Sequence, residues 1–231
     1  MTEVPGPAAA PTVAEDLLLL LFQPRSGTIA GEDTLSSVLA GGVLADLALG
    51  DHVRTTRSPG GNVRVEAVEE RPPSDALLRP GWDYVAEKPR SVQSVLAAIG
   101  PSLREPLLEA VVARGDVRRE RRKVLGLFGT TALVDGGTPR RAELVASVRA
   151  VLVDGEEPTA RVAALAGLLA GSGTLPRLDR EIPWTTPVIK RAQKLERGSW
   201  GAQAAGAAVA RTVTATVVNS TTHALAAWSR S

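Results

Sequence analysis

Along most of the chain between residues 13 and 218, apolar residues recur every three to four positions, the period of one buried helix face. The first such stretch is apolar on every side. Thr12-x-x-Glu15 has the spacing of a capping box, in which a threonine hydroxyl and a glutamate carboxylate satisfy each other's backbone amides. It precedes Asp16-Leu17-Leu18-Leu19-Leu20-Leu21-Phe22, and Pro24 and Gly27 end the helix. The leucine run is far shorter than the ~20 apolar residues of a bilayer-spanning helix, so it predicts a buried core helix. A second helix follows, with Asp33 as its N-cap and Leu35, Val38, Leu39, Val43 and Leu47 on one face. Ala40, Gly41 and Gly42 allow a neighbour to pack closely, and Gly50-Asp51 stops it.

The pattern changes in two places. His52–Thr56 and Asn62–Val68 flank Ser58-Pro59-Gly60-Gly61 and predict a β-hairpin with a loop longer than a two-residue turn. Asp116–Asp135 predicts a second hairpin, with Val124-Leu125-Gly126-Leu127-Phe128-Gly129 at its apolar end. Between them, Ser74–Leu78 and Ser91–Ile99 read as short helices separated by Pro80-Gly81 and Pro89. Pro101 suits the first turn of a further helix, which carries Leu103, Leu107, Leu108 and Val111 and closes at Gly115. Beyond the second hairpin, Thr138-Pro139 and Glu157-Pro158 open two more helices. Prolines 176, 183 and 187 break the region from 172 to 187, and helix resumes over Val188–Glu196 and Ser199–Val218. The expected fold class is mainly α: a helical bundle surrounded by short amphipathic helices, with one or two protruding β-hairpins. The expected organisation is a flexible leader (1–12), one helical domain (13–218) and a frayed tail (219–231).

Composition narrows the chemistry. The chain has no cysteine, which removes disulfides and thiolate zinc sites, and its two histidines, His52 and His223, are far apart. Neither a Gly-x-Ser-x-Gly elbow nor a glycine-rich phosphate loop is present. Glu69-Glu70 and Glu156-Glu157 sit beside prolines and read as solvated turns. Trp82, Trp184 and Trp200 read as packing anchors, and Trp228 as a ring suited to a membrane interface. The expectation is a non-enzymatic protein with no catalytic residue, no metal and no cofactor.

Charge is uneven along the chain. Residues 1–50 carry one cation and six anions, whereas residues 101–150 carry ten cations and six anions. A basic middle points to an anionic partner. Only four of the 27 cations are lysine (Lys88, Lys123, Lys190 and Lys194), so arginine is the default cation here and position carries more information than residue type. The densest run is Leu107-Leu108-Glu109-Ala110-Val111-Val112-Ala113-Arg114-Gly115-Asp116-Val117, continuing into Arg118-Arg119-Glu120-Arg121-Arg122-Lys123 and then the apolar tip. A strand sends these cations to both faces, which is costly to bury but suits an anionic surface. Two other readings fit the same residues. In one, Leu125, Leu127 and Phe128 are core and the arginines form a solvated edge strand; in the other, the hairpin is the wing of a DNA-binding winged helix, although no base-reading helix precedes it.

Glu15-Asp16-Leu17-Leu18-Leu19-Leu20, then Leu39-Ala40-Gly41-Gly42-Val43-Leu44-Ala45-Asp46-Leu47-Ala48-Leu49-Gly50, and Glu109 to Val117 running into the basic hairpin, together resemble the Golgi phosphoprotein 3-like family. The resemblance extends to Arg191–Trp200 and covers roughly residues 12–218; the arginine and alanine bias suggests a bacterial, actinobacterial-type member. It implies a mostly helical domain with a protruding hairpin, and a non-enzymatic peripheral membrane protein that binds phosphatidylinositol 4-phosphate and bridges membranes to protein clients. The family's headgroup pocket uses a tryptophan, a second-helix arginine and an Arg-x-x-Arg pair. Those positions fall on Gly31, Ala40, Pro101 and Arg104, and only Arg104 keeps the family's residue.

The functional expectation is a cytoplasmic protein attached peripherally to an anionic phospholipid surface. Headgroup contacts are assigned to Arg104, Arg114, Arg118, Arg119, Arg121, Arg122 and Lys123, and insertion to Leu125, Leu127 and Phe128. The 117–134 hairpin is also a candidate homo-oligomer contact, and nucleic acid is not the expected partner. The alternative is a soluble scaffold or regulatory module without lipid binding.

Overall fold

The capping box at Thr12 forms: Thr12 Oγ1 accepts from the Glu15 amide at 3.1 Å, and Glu15 Oε2 accepts from the Thr12 amide at 2.6 Å. It starts α1 (Val13–Leu21), all of whose residues are buried. The computed structural model describes residues 10–57, 63–124, 128–178, 180–197 and 209–218. The leader to residue 9, the loop at 58–62, Trp200, the stretch 199–208 assigned to the last helix, and the tail from 219 with His223 and Trp228 lie outside the described residues.

Three longer helices enclose α1: α2 (Glu32–Leu49), α4 (Val92–Ala113) and α6 (Ala160–Gly171). Close approach of α1 and α2 depends on Gly42, where a Cβ would stand 2.8 Å from the Cα of Ala14. Around this bundle lie the shorter α3 (Arg79–Ala86), α5 (Arg140–Arg149), α7 (Thr186–Glu196) and α8 (209–218). The strands are short antiparallel pairs. Phe22–Gln23 (β1) pairs with Thr28–Ile29 (β2), and Val53–Arg57 (β3) with Val63–Ala67 (β4). Arg90–Ser91 (β5) adds to β4, and Val117–Val124 (β6) pairs with Phe128–Asp135 (β7). The architecture is mainly α with hairpins, as the periodicity predicts.

Boundaries differ from the sequence reading at four helices. Residues 91–99 and the helix assigned to Pro101 are one 22-residue helix, α4, which contains Pro101 and Pro106. A proline inside a helix costs about 3 kcal/mol. Burial of Val95, Leu96, Ile99, Leu103, Leu107 and Val111 along one face offsets that, at roughly 1.5–3 kcal/mol per fully buried side chain. Ser91 is its N-cap, accepting from the Ser94 amide at 3.1 Å. The helix expected at 74–78 is instead α3, with Pro80 in its first turn where no amide is needed. Asp33 does not cap α2; the N-cap is Gly31, and Glu32 and Asp33 occupy the first turn, favourably placed at the positive end of the helix dipole. Thr138 does not cap α5 because its hydroxyl donates to Asp116 Oδ1 at 2.5 Å.

The bundle buries charge as well as leucine. Glu15, Asp16 and Asp116 are each at most 4% exposed. Arg140 donates to Asp16 at 2.6 Å and to Asp116 at 2.5 Å. Arg161 donates to Asp16 at 2.5 Å and to Asp46 at 3.2 Å, and Arg114 to Glu15 at 2.6 Å. Asp46 Oδ2 accepts from the first amide of α1, that of Val13, at 2.6 Å. Burial would lower the Arg140 pKa, but its hydrogen bonds to Asp16 and the charges of Asp16 and Asp116 raise it instead.

Burial also pushes the Asp46 carboxyl up from 3.8 to about 7, against the opposing pull of Arg161 and of the Val13 amide and with the help of the Asp16 charge. A carboxyl that binds its proton more tightly when folded favours folding at low pH, and that contribution is lost as pH rises toward 7. At about 1.4 kcal/mol per tenfold change in proton affinity, lowering pH from 8 to 5 should gain on the order of 2–3 kcal/mol from this group. Urea unfolding at the two pH values, compared between wild type and Asp46→Asn, tests this: the difference between the two proteins should change with pH, and an unchanging difference refutes the assignment.

Candidate functional site

The basic hairpin is rooted in the buried charges. After α4 the chain turns at Gly115, and the Asp116 amide donates back to the Val111 carbonyl at 3.0 Å. Asp116 holds Thr138 and Arg140, and Val117 is buried, so both strands leave from a fixed base. The pairing register, from Val117 opposite Asp135 to Val124 opposite Phe128, sets the faces. Strand alternation puts Arg119, Arg121 and Lys123 on one face and Arg118, Glu120 and Arg122 on the other.

The seven cations assigned to headgroups have different surroundings. Arg118 and Arg121 are exposed and have no carboxylate partner among the described residues; Arg118 donates weakly to the Asp135 carbonyl at 3.5 Å. Arg119 folds back onto α4, meeting Glu109 at 2.6 Å and Glu105 at 3.6 Å. Arg104 meets Glu105 at 3.0 Å and Glu32 at 3.4 Å. Such surface pairs are worth at most about 1 kcal/mol, so a phosphate can compete for both arginines. Arg114 differs: its partner Glu15 is fully buried and has no other cation partner among the described residues. The side chains of Arg122, Lys123 and Phe128, and all of Leu125 and Leu127, lie outside the described residues.

The positions of the resembling family's headgroup pocket carry little donor chemistry here. Gly31 has φ +74°, and a Cβ there would stand 2.6 Å from Thr174 Cγ2. Ala40 is fully buried within α2, and Pro101 is an exposed proline of α4.

A second basic feature was not legible in the sequence. The β1–β2 turn and the segment 176–181 form the walls of a cleft of about 520 Å3 lined by Arg25, Arg141, Arg177, Arg180 and Glu181. Arg25 is the lone cation of an acidic stretch, 152 positions before Arg177, so no local charge run marked the cluster. A further cleft of about 420 Å3 beside β3 and β4 has Glu66, Glu69, Glu70 and Glu87 in its lining, with Arg54 and Lys88. Among the described residues no group of carboxylates and histidines is arranged to hold a metal, and no helix is long and apolar enough to cross a membrane.

A family model described as Golgi phosphoprotein 3 (GPP34) matches residues 13–212. No curated protein matches the chain.

Arg114 and Arg104 should separate by what their loss does. Arg114→Gln leaves Glu15 buried without its cation, a change that typically costs about 3–5 kcal/mol, whereas Arg104→Gln should cost less than about 1 kcal/mol. Denaturant unfolding of the two variants measures this directly. Equal, small losses would mean that Arg114 is available to a ligand after all.

Proposed function

The chain belongs to the Golgi phosphoprotein 3 family, and on that premise we propose that it is a non-enzymatic peripheral membrane protein that docks on anionic phospholipid headgroups of the phosphoinositide class. The observation that carries the reading is the pair Arg118 and Arg121, exposed on a two-stranded ribbon and without carboxylate partners among the described residues. Cations left unpaired on both faces of a ribbon serve little purpose within the monomer and are well placed against a sheet of phosphates. Arg119 and Arg104 join them when phosphate displaces Glu105, Glu109 and Glu32. Arg122 and Lys123 extend the same charge toward the tip, where Leu125, Leu127 and Phe128 enter the headgroup region. The rest of the bundle then faces the cytoplasm as an adaptor surface for protein clients.

The attraction belongs to the surface charge of the hairpin, since only Arg104 remains of the four family headgroup positions. At about 1 kcal/mol per cation near an anionic bilayer, Arg118→Gln with Arg121→Gln should lower partitioning into anionic vesicles roughly 30-fold without altering stability. Sedimentation with vesicles of varied anionic content measures it, and unchanged partitioning removes the hairpin from the contact. Leu127→Ser with Phe128→Ser should weaken binding while leaving its salt dependence in place. If that variant unfolds instead, the two residues are core and do not insert.

A further inference from the structure

We propose that the arginine cleft between the β1–β2 turn and the 176–181 segment is a specific site for a phosphomonoester, carried either by a lipid headgroup or by a free small molecule. The lipid source rests on the membrane reading above; the cleft itself does not. Four guanidinium groups line it, and the one carboxylate among its described lining residues is already engaged. Glu181 receives both ends of Arg141, at 2.8 and 3.0 Å, while Arg141 Nε donates to the Phe22 carbonyl at 3.3 Å. That leaves Arg25, Arg177 and Arg180 exposed, with no carboxylate partner among the described residues. Asp179 lies outside the described residues.

Both walls are held in place. On one side the Gly27 amide donates to the Gln23 carbonyl at 2.9 Å, and the turn presses on β7 so closely that a Cβ at Gly27 would stand 2.5 Å from the Leu133 carbonyl oxygen. On the other, Leu175, Leu178 and Ile182 are buried, the Arg177 amide donates to the Thr174 carbonyl at 2.9 Å, and the Glu181 amide donates to the Leu178 carbonyl at 2.8 Å. The fold therefore holds three like charges around one concave space. Their repulsion is relieved by an anion, and the match in charge is a phosphomonoester, which carries about −1.5 to −2 and three acceptor oxygens. Guanidinium forks bind such oxygens in pairs. A space of about 520 Å3 lies within the usual range of small-ligand sites and holds the phosphate together with the polyol attached to it. The cleft adjoins the hairpin through the contact of Gly27 with β7, so a headgroup in it lies beside the basic ribbon.

The test separates the cleft from the hairpin and the lipid from the free phosphate. Vesicles containing phosphatidic acid, a monoester, are compared with phosphatidylglycerol vesicles, a diester, at matched surface charge; glycerol 3-phosphate is the soluble probe, read by calorimetry. Wild type should bind the monoester vesicles at least tenfold more tightly than the diester vesicles and should bind glycerol 3-phosphate. Arg177→Gln with Arg180→Gln, or Arg25→Gln alone, should abolish both effects while keeping the diester binding and the unfolding midpoint. Arg118→Gln with Arg121→Gln should lower binding to both vesicles equally and leave glycerol 3-phosphate binding intact. Glycerol 3-phosphate binding that needs Arg177 and Arg180 but brings no preference for monoester vesicles supports the site with a free ligand as its source. If wild type binds neither vesicle, the membrane reading fails while the cleft still stands or falls on glycerol 3-phosphate. The proposal is overturned if the cleft variants match wild type in both measurements, or if wild type shows neither monoester preference nor glycerol 3-phosphate binding.

Discussion

Everything in this fold is arranged around one electrostatic constraint: α1 is wholly buried yet carries Glu15 and Asp16. A buried carboxylate without a partner is too costly to persist, so cations must be brought in from elsewhere in the chain. Arg114 comes from the end of α4, Arg140 from the start of α5 and Arg161 from the start of α6. Each is about a hundred or more residues from its partner on α1. Meeting that constraint fixes where three helices end or begin. Because Arg140 also holds Asp116, it fixes the root of the basic hairpin as well.

The network explains which parts of the sequence were readable. A buried α1 followed from its leucines and its capping box, which are local, and the first hairpin followed from alternation around its polar loop. Two of the errors were non-local in origin. Thr138 has the chemistry of an N-cap, but Asp116, at the hairpin root, takes its hydroxyl. Pro101 looks like a helix start, but burial of α4 on both sides of it carries the helix through. Asp33 has cap chemistry too, yet the N-cap of α2 lies two residues earlier, at a glycine whose φ of +74° no sequence period reveals.

The candidate site was legible to a similar extent and for the same reason. A run of cations between 118 and 123 is visible as a run. Its division into Arg118 and Arg121, with no carboxylate partner among the described residues, and Arg119, held by Glu105 and Glu109, depends on how the hairpin lies against α4. Arg114 looked like one more member of the basic segment, yet its guanidinium belongs to Glu15. The cleft at Arg25, Arg177 and Arg180 left no mark at all, because it joins the acidic start of the chain to a proline-broken stretch near its end.

In a chain where arginine is nearly the only cation, the residue type says little and the fate of its charge says much. Arg114, Arg140 and Arg161 neutralise carboxylates that water cannot reach, so their charge is spent inside the fold. Arg104 and Arg119 have exposed glutamates as partners, which an external anion can displace at little cost. Arg118 and Arg121 on the ribbon, and Arg25, Arg177 and Arg180 in the cleft, have no carboxylate among the described residues to give up. This order, from committed through exchangeable to open, runs outward from α1 to the surface. It identifies two adjoining places where positive charge has no carboxylate partner among the described residues. A ribbon with exposed cations suits a plane of charge, and a concave cleft suits one compact group within that plane. In the proposed reading the two geometries are complementary: the ribbon would supply attraction over distance, and the cleft the discrimination that an attraction of this kind lacks.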